Sequence, residues 1–242
     1  MDNLDSLFSK VYSKSTEDFY KFLQNNLKKK NKTFIVTANP EAFMLAEKDE
    51  EYMNMLLDDD TVVVPDGIGV VKAGKMLGFE IKERITGVDL CDMLLGYCND
   101  NKLKLYLFGA ASEVINKMKD IIRNKYPNID LVGAKNGYEK DKDKVFQDIV
   151  KKAPDVTLVA LGMPLQEELI YKHLNKFKKG IFVGVGGSFD VISGSKKRAP
   201  KIFIKLNLEW LYRIVKEPKR LRRFWDNNVK FIFKVKRTKK IK

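Results

Sequence analysis

Six short runs, each nearly continuous in β-branched and other apolar side chains, recur along this chain with longer amphipathic segments between them. A strand with one wet face alternates apolar with polar residues. These runs do not alternate, so both of their faces must be covered. Their spacing predicts strands over 33–37, 61–64, 103–108, 129–133, 156–161 and 181–185. The intervening segments predict helices over 40–57, 67–77, 87–99, 112–125, 141–152 and 164–177, after an opening helix over 16–30. Ser15 is a natural N-cap for the first of these, and Asn39-Pro40 supplies an N-cap followed by a first-turn proline. Strands and helices in strict alternation imply a doubly wound, mostly parallel α/β sheet of Rossmann-like type. The order of the strands stays open.

The charge is concentrated at one end. Residues 196–242 hold eighteen Lys or Arg against three Asp or Glu, so of the net charge of +14 almost nothing remains for residues 1–195. This divides the chain into an α/β domain over 1–195 and a basic helical C-terminal appendage over 196–242. In the appendage a helix over 199–215 has a broad apolar face. Glu217-Pro218 ends it and starts another that carries Leu221, Phe224, Trp225, Val229 and Ile232 among arginines and lysines. Aromatic and basic residues interleaved in this way suit an anionic membrane surface. Nucleic acid is the rival polyanion, and a hairpin packed on the core with solvated charges is the plain alternative. No segment reaches the roughly 18 apolar residues that span a bilayer, and the acidic N-terminus lacks a signal-peptide core. A cytoplasmic protein attached peripherally to the inner face of the membrane is the expectation.

In open parallel sheets, ligands sit beyond the carboxyl ends of the strands. The unusual residues fall there: Thr37 and Asn39, then Asp66, Gly109, then Gly162 and Gln166, and finally Gly186, Gly187 and Asp190. Glycines let a ligand approach the backbone, and helix N-termini hold anions. Asp66, between a strand-ending proline and a glycine, is placed either as a general base or as the N-cap of the following helix. Asn39 has the same ambiguity, with capping the favoured reading. The glycines at 184–187 lack the dinucleotide spacing, which counts against an oxidoreductase, and no phosphate-loop motif is present. Asp58-Asp59-Asp60 reads as a solvated acidic turn before a strand rather than a metal-diphosphate motif. Cys91 and Cys98, two helical turns apart, are too distant for a disulfide, and with the single histidine, His173, they make no zinc site. No metal and no cofactor are expected.

Several runs together carry a family resemblance. They are Thr37-Ala38-Asn39-Pro40-Glu41, Val64-Pro65-Asp66-Gly67-Ile68-Gly69, Arg84-Ile85-Thr86-Gly87-Val88-Asp89-Leu90 and Leu107-Phe108-Gly109-Ala110. To these are added the run 161–167, Gly184-Val185-Gly186-Gly187 with Phe189-Asp190, Arg198-Ala199-Pro200, and Leu208-Glu209-Trp210-Leu211-Tyr212-Arg213 with Glu217-Pro218 and Arg220-Leu221. In this order, from about residue 33 to 223, the chain resembles the WecG/TagA/CpsF glycosyltransferases, most closely the teichoic-acid linkage branch.

The resemblance implies inverting transfer of N-acetylmannosamine from UDP-ManNAc to the 4-hydroxyl of GlcNAc-diphospho-undecaprenol. It implies Asp66 as the base and Thr37 as a residue that helps hold sugar or acceptor. Asn39, Arg84 and Gln166 match pocket residues, and Asp190 lies in the loop near the nucleotide. Arg213, Arg220 and Arg223 of the appendage match arginines that complete the site. A homo-oligomer is compatible with this scheme, and nucleic acid is not among its partners.

Overall fold

The computed structural model describes residues 3–241, excluding the side chains of Arg220, Arg223 and Ile241. Strands β1 (Lys32–Ala38), β2 (Thr61–Pro65), β3 (Lys104–Gly109), β4 (Asp130–Lys135), β5 (Val156–Ala160) and β6 (Gly180–Gly184) form one sheet. Every pair is parallel, and the order is β2-β1-β6-β5-β3-β4. The chain leaves β3 toward β4 at one edge and leaves β5 toward β6 in the opposite direction. The winding therefore reverses between β3 and β5, as a doubly wound fold requires.

The helices are α1 (Asn3–Lys10), α2 (Thr16–Lys28), α3 (Pro40–Ala46), α4 (Glu50–Leu57), α5 (Ile68–Leu77), α6 (Gly87–Asp100) and α7 (Ser112–Lys125). They continue as α8 (Lys142–Lys152), α9 (Leu165–Leu174), α10 (Ser188–Ile192), α11 (Lys201–Lys205), α12 (Glu209–Lys216), α13 (Arg220–Phe224) and α14 (Lys230–Ile241). A π-turn (Trp225–Val229) joins the last two. Successive strand residues feed opposite layers: Phe34 and Val36 pack with α1, α3, α4 and α9, whereas Ile35 packs with α2, α6 and α7. This pleat explains the unbroken apolar runs, because neither face of the sheet meets water.

The predicted helix over 40–57 is two helices. Asp49 accepts a hydrogen bond from Tyr52 N–H at 3.0 Å and caps α4, so a local side-chain bond restarts the helix. Helix α1 has no counterpart among the sequence expectations, yet Leu4, Leu7 and Phe8 are buried on its inner face. The predicted helix over 199–215 is also broken. Asn207 takes a left-handed φ of 59° between α11 and α12, a conformation that asparagine tolerates better than most residues.

The chain's end returns to the core. Phe231 and Val235 of α14 are buried in the same cluster as Phe8 and Phe43, with the Phe231 ring 5.5 Å from that of Phe43. Lys234 on the same helix pairs with Glu47.

Candidate active site

The carboxyl ends of β2, β1, β6, β5 and β3 lie side by side, so the residues just beyond them share one rim of the sheet. Asp66 follows β2 and its own N–H donates to Ala38 O at 2.9 Å, which ties it to β1. It does not cap α5, whose N-cap is Gly67 with no side-chain cap bond. Instead Asp66 Oδ1 accepts from the backbone N–H of Gly87, the first residue of α6, at 3.1 Å. Burial pushes the Asp66 carboxyl up from its ordinary range. The nearby charge of Arg213, the Gly87 N–H and the charge of Arg84 work against that rise, and Glu209 adds to it.

Thr37, at the end of β1, donates its hydroxyl to Gly184 O at 3.1 Å and so joins β1 to β6. Ser188 of α10 donates to Val185 O at 2.6 Å. Gly87 fits between them: a Cβ there would lie 3.3 Å from Ser188 Oγ and 3.9 Å from Thr37 Oγ1. Asp66, Thr37, Gly87 and Ser188 therefore share one notch, together with the loop that follows β6. Gly87 and Ser188 were absent from the sequence candidates. The signal for Gly87 was the capping pattern of Thr86 and Asp89, in which Asp89 N–H donates to Thr86 Oγ1 at 3.2 Å and marks a helix start.

Gln166 is buried and acts on the backbone. Its Oε1 accepts from Gly162 N–H and Gly186 N–H, both at 3.0 Å, which fastens the loop after β5 to the loop after β6. Its Nε2 donates to Glu167 Oε1 at 2.6 Å. Glu167 is fully buried, and burial raises its carboxyl to about 7 against the hydrogen bond from Gln166. Gly162 and Gly186 take φ values of 81° and 48°, in the left-handed region where glycine is unstrained. Gly109, at the end of β3, needs its missing side chain for close approach: a Cβ would sit 2.3 Å from Ala160 O.

Asn39 resolves toward capping, since its Oδ1 accepts from Glu41 N–H at 2.9 Å and Ala42 N–H at 3.2 Å. Asp190 lies in the first turn of α10, near Gly187. Arg84 Nη2 contacts Glu209 Oε2 at 2.8 Å and donates to Ile204 O at 3.3 Å, so this arginine grips the tail. Arg213 on α12 is exposed, and its charge works to lower the Asp66 carboxyl. The side chains of Arg220 and Arg223 lie outside the described residues. A cavity of about 470 Å³ runs between α6, α7 and α10, with Arg198 in its wall and none of the notch residues in its lining.

The other sequence candidates sit away from the rim. Asp58, Asp59 and Asp60 precede β2 at the opposite end of the strands, where Tyr171, Lys10 and Lys32 bind them. His173 is buried, stacked on Phe146 and bonded to Asp143 at 2.7 Å. Cys91 and Cys98 are buried free thiols.

The carboxyl rim of this Rossmann-like sheet thus gathers one half-buried carboxylate, two hydroxyls and close-approach glycines, where doubly wound folds place their binding sites. The chain belongs to the glycosyl transferase WecG/TagA/CpsF family, whose model matches residues 5–242. It is 41% identical over 206 residues to a Bacillus spizizenii protein named N-acetylglucosaminyldiphosphoundecaprenol N-acetyl-beta-D-mannosaminyltransferase, covering 85% of this chain and 80% of that one. A Bacillus subtilis protein of the same name is 41% identical over 189 residues, covering 78% and 73%. One from Staphylococcus aureus is 38% identical over 210 residues, covering 87% and 82%.

Proposed function

We propose that this protein transfers N-acetylmannosamine from UDP-ManNAc to the 4-hydroxyl of GlcNAc-diphospho-undecaprenol, with inversion, in the synthesis of the wall teichoic acid linkage unit. The observation that carries this reading is the position of Asp66, detached from its own helix and turned into the notch beside Thr37 and the loop after β6. The relatives' shared name supplies the acceptor.

In the reaction Asp66 takes the proton of the acceptor hydroxyl as its oxygen bonds to the anomeric carbon. The bond from that carbon to the UDP oxygen breaks, and UDP leaves with the electron pair. A carboxyl raised by burial yet steadied as an anion by Arg213 suits a base working near neutrality. Positive charge for the departing diphosphate comes from the tail arginines Arg213, Arg220 and Arg223, whose planar donors fit phosphate oxygens in pairs. The glycines at 162, 186 and 187 leave room for the diphosphate against the backbone. Thr37 and Asn39 border the sugar and acceptor side.

The tail is proposed to lie on the inner face of the membrane. Ile202, Leu206, Val215, Leu221, Trp225 and Phe233 are exposed among its lysines and arginines. Each basic residue near an anionic surface contributes about 1 kcal/mol, so a few suffice to hold a peripheral protein. No helix among the described residues is long and apolar enough to cross a bilayer.

The deciding experiment is UDP release over a panel of UDP-sugars with GlcNAc-diphospho-undecaprenol in vesicles. Turnover with UDP-ManNAc well above the other donors supports the proposal. Preference for another UDP-sugar would move the chain to a different branch of the family, and no turnover with any would end the proposal.

A further inference from the structure

Glu209 opens α12 in the basic tail, yet it is only 6% exposed. Two guanidinium groups hold it. Arg84 Nη2 lies 2.8 Å from its Oε2, and Arg198 Nε faces its Oε1 at 3.5 Å. Arg84 also donates to Ile204 O, at the end of α11, so both helices of this segment are gripped from the core side.

The contacts continue inward. Arg198 Nη1 reaches Asp89 Oδ1 at 2.7 Å, and Asp89 Oδ2 accepts from the hydroxyl of Thr86, the N-cap of α6, at 2.6 Å. Despite its burial, Arg198 and Thr86 hold the Asp89 carboxyl below the usual range. The next residue after Thr86 is Gly87, whose N–H donates to Asp66. Ion pairs and hydrogen bonds, with the Thr86–Gly87 peptide as one link, thus connect the first turn of α12 to the carboxylate in the notch. Arg213 follows Glu209 by four residues, one helical turn along the same face. Its charge acts on Asp66. Val215 is turned to solvent, whereas Trp210 and Leu211 are only partly exposed and the Trp210 ring stacks on Phe224 at 4.6 Å. Glu209 is the buried residue of α12, with Tyr212 and Ile214 half-buried and Arg213 exposed, so its carboxylate fixes which side of the helix meets the core.

We propose that Glu209, held by Arg84 and Arg198, is a positioning residue for the transfer reaction: its carboxylate docks α12 against the start of α6 and so sets Arg213 beside Asp66. On this view Arg84 serves the site by anchoring the tail. The inference rests on the reading of Asp66 as the proton acceptor. Without Glu209, Arg198 keeps Asp89 but Arg84 loses its carboxylate on α12, and removing one partner of a buried ion pair is strongly destabilising.

The test uses the full chain with Glu209→Ala, Glu209→Gln and the double variant Arg84→Ala/Glu209→Ala. Hydrogen exchange of the α12 amides, without substrate, reads docking. Steady-state UDP release with UDP-ManNAc and the undecaprenyl acceptor reads catalysis, and the thermal midpoint verifies that the core is folded. Both single variants are expected to speed α12 exchange at least tenfold and to lower kcat by roughly ten- to a hundredfold, with donor KM within about twofold. With Arg84→Ala as its second reference, the double variant is expected to lose less kcat than the two single losses multiplied together, because Arg84 and Glu209 share one contact. Native exchange in Glu209→Ala, or fast exchange with unchanged kcat, overturns the proposal. If Asp66→Asn alone proves harmless while Glu209→Ala still lowers kcat, the proton-acceptor reading fails and the positioning role must be reassigned to another base.

Discussion

Asp66 Oδ1 and Gly87 N–H meet at 3.1 Å, so the carboxylate that follows β2 is bound to the start of α6 rather than to the helix it precedes in sequence. Two loops 21 residues apart are joined at the point where the chain crosses the sheet rim. The bond engages Oδ1 and restrains the carboxyl group. A group held in this way is preorganised to accept a proton.

Asp66→Asn keeps an oxygen for the Gly87 N–H and changes only the basicity of the group. Transfer is expected to fall by about 10²- to 10⁴-fold, the usual range for a lost general base. UDP binding by calorimetry should stay within about threefold. A loss of transfer below tenfold would reduce Asp66 to a tether between two loops.

The pH dependence follows from the balance at Asp66. Burial raises its carboxyl, and the cation Arg213 is the largest influence holding it down. The base works ionised, so the acid limb of kcat/KM should lie above the ordinary aspartate range. Arg213→Ala removes the stabilising cation, which favours the protonated form, and the limb should move to still higher pH. Arg213→Lys should move it less. A limb unchanged in Arg213→Ala would show that this arginine does not reach the carboxylate.

Much of this was legible in the sequence because the rim residues are set by local rules. Strands without alternation announced a sheet covered on both sides, and Gly162 and Gly186 stood out at strand ends, though their left-handed φ values show only in the structure. What stayed hidden depends on distant partners. Asp66 could be read equally as a cap, and only the neighbour at Gly87 decides the matter. Glu209 looked like one acid in a basic tail until Arg84, 125 residues earlier, was found against it. Helix α14 carries so many lysines that its inward face, Phe231, Val235 and Thr238 at helical spacing, was masked by composition.

Glu167 gives a stability signature. Its carboxyl stands at 4.5 when unperturbed and at about 7 in the folded chain, because burial disfavours the charge. Between those values the native state binds more protons than the unfolded one, so stability falls as pH rises through the window. The full penalty, present above about pH 7, is on the order of 3 kcal/mol. Glu167→Gln can still accept from Gln166 and cannot ionise. Its urea midpoint should therefore change less between pH 5 and pH 8 than that of the native protein, and should exceed it at pH 8. Equal slopes for the two proteins would mean that Glu167 stays charged inside the fold.

The last helix allows docking and folding to be separated within three residues. Phe231 is fully buried against the rings of Phe8 and Phe43, whereas Phe233 is 67% exposed and Trp225, in the π-turn before the helix, is 63% exposed. Removing everything after Ser195 would strip Phe231 and Val235 from the core and confound any loss of activity. Single substitutions avoid this. Phe231→Ala should cost about 3–5 kcal/mol of stability, the range for emptying a buried aromatic site. The double variant Phe233→Ser/Trp225→Ser should leave the thermal midpoint nearly unchanged, because neither ring is buried. It should nevertheless lower flotation with vesicles containing anionic lipid, and the remaining binding should be the more salt-sensitive part, since only the lysines and arginines are left to hold it. Undiminished flotation in the double variant would remove the aromatic residues from the membrane contact and leave attachment to charge alone.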